Sequence, residues 1–291
     1  MTIIITKDDK FVKLLRDNLM NIYQSRKRKP DEKIHVSDIL PGSCLRKAYF
    51  ARMTDDYILT DDDVDNFVRG EASEHALVNL ANLGVSQFEL FFENDLVARP
   101  DLMTSNSVQT MNQNNKTSVK DTLSSEIIVE FKDTKSMTRL TPESPRFRSY
   151  LRQLLYYLII SNFDTGILCI RYANNRNLKW IKSDSSGDYY FSPRVDKQNS
   201  DAKLPDIETW TVIIEKASPI RDSLKDEIRS RVGLLKSALM ENSVDKLPKV
   251  SEEWKCTKCP FLTECNPNNV SNKDSKKDLL DQNGFITVLP T

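Results

Sequence analysis

Apolar residues recur at two different periods along this chain, and the change of period divides it. Phe11, Leu14, Leu15, Leu19 and Ile22 share one side of a helix expected over residues 7–25. Thr6-Lys-Asp-Asp9 reads as its capping box, and the basic run Arg26-Lys27-Arg28-Lys29 closes it before Pro30. Ser37-Asp38-Ile39-Leu40-Pro41-Gly42 reads as a turn, and Cys44–Arg52 as a helix with a cysteine at its start. Asp61–Asp63 then stand at the positive end of a longer helix carrying Val64, Phe67, Val68, Ala72, His75, Val78 and Leu83.

Beyond that helix the period shortens to that of strands. Phe88–Phe92 and Leu96–Met103 are expected to form a hairpin across Asn94-Asp95, and Glu126–Asp133 alternates as a third strand. Residues 104–125 are rich in Ser, Thr, Asn and Gln and read as a disordered insertion. A helix over 142–161, opened by Pro142, is followed by the apolar strand Gly166–Tyr172, strands at Leu178–Lys182 and Trp210–Glu215, and a last long helix at 219–241. The expected division is a helical region over 1–85, an α/β core over 86–217, a helix and cysteine segment over 218–267, and a mobile tail over 268–291.

Composition narrows the classes. Charged residues make up 29% of the chain and glycines number only 7, which excludes collagen-like and Gly-rich chains and one that is disordered throughout. No apolar run approaches the ~18 residues of a membrane-crossing helix, and the first residues lack the features of a signal peptide, so a cytoplasmic, membrane-free protein is expected. Lys and Arg total 42, as do Asp and Glu, so nucleic-acid affinity has to come from local patches. Charge is segregated: residues 10–52 hold 11 basic and 4 acidic side chains, residues 54–71 hold 1 and 7.

Five cysteines, Cys44, Cys169, Cys256, Cys259 and Cys265, suit metal binding better than a disulfide framework. Cys169 lies in an apolar strand and reads as core. Cys256, Cys259 and Cys265 form C-x2-C-x5-C, whose thiolates can converge on one centre; spacing alone fits zinc and an iron–sulfur cluster equally. Asp101 follows Pro100 on the second strand, while Glu130 and Lys132, two apart, leave one face of the third. Two carboxylates and an ammonium at one point are what a divalent cation and a phosphodiester need, although an isolated E-x-K is more often a surface ion pair. Gln153 and Tyr157 share a helix face downstream, with Tyr156 competing for the latter's place; the lesser alternative is that they are ordinary polar positions on an amphipathic helix.

The order His75, Asp101, Glu130-Phe131-Lys132, then Gln153 and Tyr157 resembles the PD-(D/E)XK nucleases of the RecB branch. One cysteine before that core and three behind it, with the opening Cys44-Leu-Arg-Lys-Ala-Tyr-Phe50, is similar to the iron–sulfur nucleases, above all the CRISPR-associated Cas-four family. The likeness covers roughly residues 36–103 and 126–267. It implies a restriction-endonuclease-like α/β core with a helical N-terminal region and a C-terminal iron–sulfur segment. It further implies Mg or Mn on His75, Asp101, Glu130 and the Phe131 carbonyl, Lys132 positioning or activating the attacking water, and Gln153 and Tyr157 bracing the site or touching DNA. Cys44, Cys256, Cys259 and Cys265 would hold a 4Fe-4S cluster.

The activity so implied is exonucleolytic cleavage of DNA, on single-stranded ends, in CRISPR spacer acquisition and antiviral defence with an integrase partner. DNA end processing in repair or replication, or DNA binding by a cluster-stabilised protein with an idle site, are the alternatives. Arg46, Lys47 and Arg52 suit phosphate contact, while Arg26–Lys29 is either a solvated helix end or a DNA-backbone contact. Tyr49 and Phe50 read as core in preference to a base-stacking platform.

Overall fold

The structure, a computed structural model, describes residues 9–54, 59–80, 83–86, 88–105, 126–136, 138–173, 178–182, 189–193, 207–248, 256 and 259–265. These form helices and mixed sheets in two compact units. One comprises Met1–Ser73, Glu93–Val97 and Asp226–Asp278; the other comprises Glu74–Phe92, Ala98–Lys225 and Leu279–Thr291. The expected capping residue Thr6, the greater part of the insertion (106–125) and the tail 268–291 lie outside the described residues. Among the described residues no helix is long and apolar enough to cross a membrane.

The first unit is mainly helical, with α1 (Asp9–Ser25), β1 (Ile34–His35), α2 (Val36–Ile39), α3 (Leu45–Met53) and α4 (Asp61–Glu74). The capping box of α4 is closed: Thr60 Oγ1 accepts the N–H of Asp63 at 3.2 Å, and Asp63 Oδ2 accepts that of Thr60 at 3.0 Å. Where a turn was expected from Ser37, one short helical turn begins instead, because Asp38 Oδ2 accepts the His35 N–H at 3.0 Å and buries Val36 and Ile39 beneath it.

The basic side chains of this unit are largely turned to its own fold. Arg26 pairs with Glu71, Lys27 donates to the Thr54 carbonyl, and Arg28 reaches Asp38 Oδ1 at 2.6 Å. Arg52 is buried and donates to the carbonyls of Lys29, Glu32 and Lys33 and to Asp38. Arg46 is likewise buried. Both therefore lie out of reach of a phosphate backbone, contrary to the expectation from sequence: a buried guanidinium must find partners for its N–H groups, and backbone carbonyls supply them here. Arg231 of α6 (Ile220–Glu241) does the same for Leu40 and Ser43, at 3.0 and 3.2 Å.

The second unit is built on a sheet containing β2 (Val85–Ser86), β5 (Leu102–Ser105), β6 (Glu126–Thr134), β7 (Thr165–Tyr172) and β10 (Ile207–Ile213). Its order is β10-β7-β6-β5-β2, with β6 and β7 parallel and the other neighbours antiparallel. Val78, Leu102, Ile127, Val129 and Cys169 form one apolar cluster within it. Burial pushes the Cys169 thiol up to about 11, as befits a core residue. A separate pair, β8 (Leu178–Lys182) and β9 (Tyr189–Pro193), runs antiparallel.

The connection between the parallel strands is α5 (Pro145–Ser161). It starts three residues later than Pro142: Ser144 caps it by accepting the Phe147 N–H, and Pro145 takes the first position, where no N–H is needed. Its apolar face closes tightly on β7, since a Cβ on Gly166 would stand 2.8 Å from a Leu154 methyl.

The strand expected over Leu96–Met103 is divided. β4 (Leu96–Ala98) pairs in parallel with β1, whereas Leu102 begins β5, and Arg99-Pro100-Asp101 separates the two. Pro100 has no N–H to give a ladder and interrupts the strand. The turn before β4 is centred on Glu93 and Asn94, with φ of 48° and 63°, one residue earlier than expected and in the conformation of a two-residue hairpin turn. β3 (Leu90–Phe92) precedes it.

Candidate active site

The break at Pro100 places Asp101 at the mouth of the sheet. Leu102 lies opposite Val129 in the β5–β6 ladder, so one step further sets Asp101 opposite Glu130. Freed from the strand, the Asp101 carboxylate accepts the backbone N–H of Phe131 at 2.7 Å. That bond uses the Phe131 N–H; the Phe131 carbonyl belongs to the same strand, in register with Cys169 of β7.

Glu130 and Lys132 leave the same face of β6. Glu130 is 1% exposed. Its Oε1 accepts from Lys132 Nζ, while Oε2 is buried with no N–H or O–H donor on it, and the Asp101 carboxyl is near enough to share a proton with Glu130. Lys132 also donates to Gln153 Oε1 at 3.0 Å, and Gln153 Nε2 donates to the Tyr157 hydroxyl at 2.8 Å. The Lys132 ammonium stands 5.7 Å from the centre of the Tyr150 ring. The tyrosine joined to Gln153 is thus Tyr157, while Tyr156 is wholly buried.

Electrostatics follow from that burial. Loss of water, together with the Asp101 charge, pushes Glu130 up to about 8 against the pull of Lys132. Burial also raises Asp101, opposed by Lys132 and the Phe131 N–H. Burial alone would lower Lys132, but the two carboxylates overcome it and hold the amine as an ammonium. Tyr157 lies well above the ordinary phenol range, through burial and then the Glu130 charge. Two buried carboxyl groups share one ammonium, and the raised Glu130 holds a proton that a divalent cation would displace. Glu130 Oε2 is the oxygen the cation would take, with Asp101 opposite.

His75 makes none of the contacts just described. It is exposed, opens a π-helical segment His75–Leu80, and its Nδ1 lies 3.2 Å from Asn79 Nδ2. Among the described residues no three His, Cys, Asp or Glu side chains gather at metal-holding distances, and the contacts above join Asp101, Glu130, Lys132, Gln153 and Tyr157. Two neighbours escaped the sequence reading. Glu74 is close enough to raise Tyr157, and Tyr150 faces Lys132. The spacing of Tyr150, Gln153 and Tyr157 on one helix face carried a signal for the second; no signal pointed to the first.

The remaining cysteines lie in the other unit. Cys44 caps α3, its sulfur 3.4 Å from the Lys47 nitrogen, and Cys265 ends α7 (Leu262–Cys265). Burial raises the Cys259 thiol, and the Cys44 and Cys256 sulfurs add to that shift, so these three are neighbours. Arg46 donates to the carbonyl and sulfur of Cys265 at 3.3 and 3.7 Å. Phe261 is buried and stacks on Phe50 at 5.8 Å. Four thiols thus lie in one unit, a donor set of the kind that soft metal centres take, and among the described residues no three of them stand at metal-holding distances.

The sequence matches no family model and no curated protein. Among solved structures it is similar to the protein SSO0001, with 13% identity, a TM-score of 0.47, and 90% of this chain and 98% of that one covered. A phage-related exonuclease from Haemophilus somnus 129PT follows with 11% identity, a TM-score of 0.42, and coverage of 72% and 95%. An alkaline exonuclease from Laribacter hongkongensis has 9% identity, a TM-score of 0.39, and coverage of 78% and 95%.

Proposed function

We propose that this chain is a divalent-metal-dependent nuclease that hydrolyses DNA phosphodiesters, working as an exonuclease on single-stranded ends. The observation that carries the reading is Glu130: buried, two residues from Lys132, opposite Asp101, and with no N–H or O–H donor on one carboxyl oxygen. Mg or Mn on Asp101 and Glu130 would neutralise the phosphodiester and lower the pKa of a water. Lys132 has two of its three N–H donors engaged by Glu130 and Gln153 among the described residues. The third is available to a water or a phosphoryl oxygen. Gln153 fixes the ammonium in place, and Tyr157 anchors Gln153 from behind. His75 would complete the ligand set through Nε2, the ring nitrogen that its Asn79 contact does not engage.

In the same proposal Cys44, Cys256, Cys259 and Cys265 hold a 4Fe-4S cluster, and the activity serves CRISPR spacer acquisition beside an integrase. The support for both is the residue pattern of the resemblance, joined for the cluster by the proximity of Cys44, Cys256 and Cys259. The test is incubation of anaerobically purified protein with end-labelled single- and double-stranded DNA, with Mn or with chelator. Metal-dependent release of short products from single strands is expected; equal cleavage in chelator contradicts the reading.

A further inference from the structure

Arg46 makes four hydrogen bonds while only 2% of the residue is exposed. Its Nε donates to the Leu247 carbonyl at 2.9 Å, one terminal nitrogen to the Val244 carbonyl at 3.3 Å, and the other to both the carbonyl and the Sγ of Cys265. Arg46 follows Cys44 by two positions, at the start of α3. One guanidinium therefore ties the helix start that carries Cys44 to two places on the returning chain, one of them Cys265 itself. Lys cannot substitute, because a compact ammonium has no planar fork with which to hold carbonyls on two sides.

We propose that Arg46 is the positioning residue of the four-cysteine centre. It sets Cys265 beside Cys44 and donates an N–H to the Cys265 sulfur, so that the bound cluster gains a hydrogen bond and a buried positive charge. Both stabilise the more negative, reduced state of a thiolate-bound cluster, and the reduction potential rises accordingly. The proposal rests on the cluster reading above and is not implied by it, since four cysteines can bind a cluster with no such donor.

The structure supplies a control on the same helix. Arg52 is as deeply buried and also holds backbone carbonyls, but its bonds go to Lys29, Glu32, Lys33 and Asp38, away from the cysteines. The test compares wild type, Arg46→Lys and Arg52→Lys, purified anaerobically, for iron per chain, potential in a dithionite titration, and melting temperature. Both variants are expected to melt lower than wild type. Only Arg46→Lys is expected to lose iron several-fold faster to a chelator and to titrate at a lower potential.

Equal potentials in wild type and Arg46→Lys, or equal shifts in both variants, overturn the proposal, because Arg46 would then act through the fold alone. If Arg46→Lys does not fold, Arg46→Gln, which keeps amide donors and loses the charge, takes its place with the same two outcomes. Zinc in place of iron in the wild type removes the cluster reading separately. Arg46 is then judged by zinc release to a chelator: faster release from Arg46→Lys than from Arg52→Lys supports its role, and equal rates overturn it.

Discussion

The Asp101 carboxylate accepts the N–H of Phe131 at 2.7 Å, and so the residue beside a strand break is fastened to the middle of the neighbouring strand. That bond fixes one carboxylate directly opposite another, Glu130, in a pairing that burial makes costly. The chemistry proposed for the site rests on this juxtaposition.

Removing either carboxylate is expected to abolish metal-dependent cleavage. Asp101→Ala and Glu130→Ala should fall by at least about 100-fold in single-turnover rate on labelled DNA, and Lys132→Ala by about 100- to 10,000-fold, the range of a positioned proton-transfer group. Mn binding, followed calorimetrically, should survive in Lys132→Ala and weaken in the two carboxylate variants.

The raised Glu130 gives a stability signature with a definite sign. A carboxyl that titrates near 4.5 when unfolded and near 8 when folded keeps its proton only in the native state across that window. Its contribution to stability is therefore full below 4.5 and is lost as pH rises towards 8. The metal-free protein should melt lower at pH 8 than at pH 5.5, and Glu130→Gln should flatten that dependence. A cation competes with the same proton, so Mn should raise the melting temperature more at pH 8.5 than at pH 6.

Gln153 links Lys132 to Tyr157, and its loss leaves both with a buried polar group to satisfy. Gln153→Ala should cost about 1–3 kcal/mol of stability and lower the cleavage rate, while Tyr157→Phe, which also removes the acceptor of the Gln153 amide, should have the same direction with smaller size. Thermal melts and single-turnover assays on the same samples separate the two effects.

The contact between α5 and the sheet is tested at Gly166. A Cβ there would meet the Leu154 side chain at 2.8 Å, so Gly166→Ala should destabilise by about 1–3 kcal/mol through overpacking. A denaturant melt is the measurement.

Much of this was legible because the site uses short-range geometry. The two-residue spacing of Glu130 and Lys132 and the four-residue spacing of Gln153 and Tyr157 fix shared faces by the periods of strand and helix alone. Long-range facts were not legible. Period could not show that Arg46 and Arg52 point inward, because their carbonyl partners belong to loops near and distant in sequence. Nor could it show that Pro100 ends one strand before another begins, or that Tyr150 faces Lys132 across two elements. Nor could period show the contact of His75 Nδ1 with Asn79.

The measurement closest to the central claim is cleavage of 5′-labelled single-stranded DNA by wild type and Glu130→Gln, with Mn titrated from zero. Wild type should cut in proportion to metal occupancy and Glu130→Gln, folded and of the same shape, should not cut at any Mn concentration. Cleavage by Glu130→Gln at the wild-type rate, or wild-type cleavage indifferent to Mn and chelator, would contradict the account.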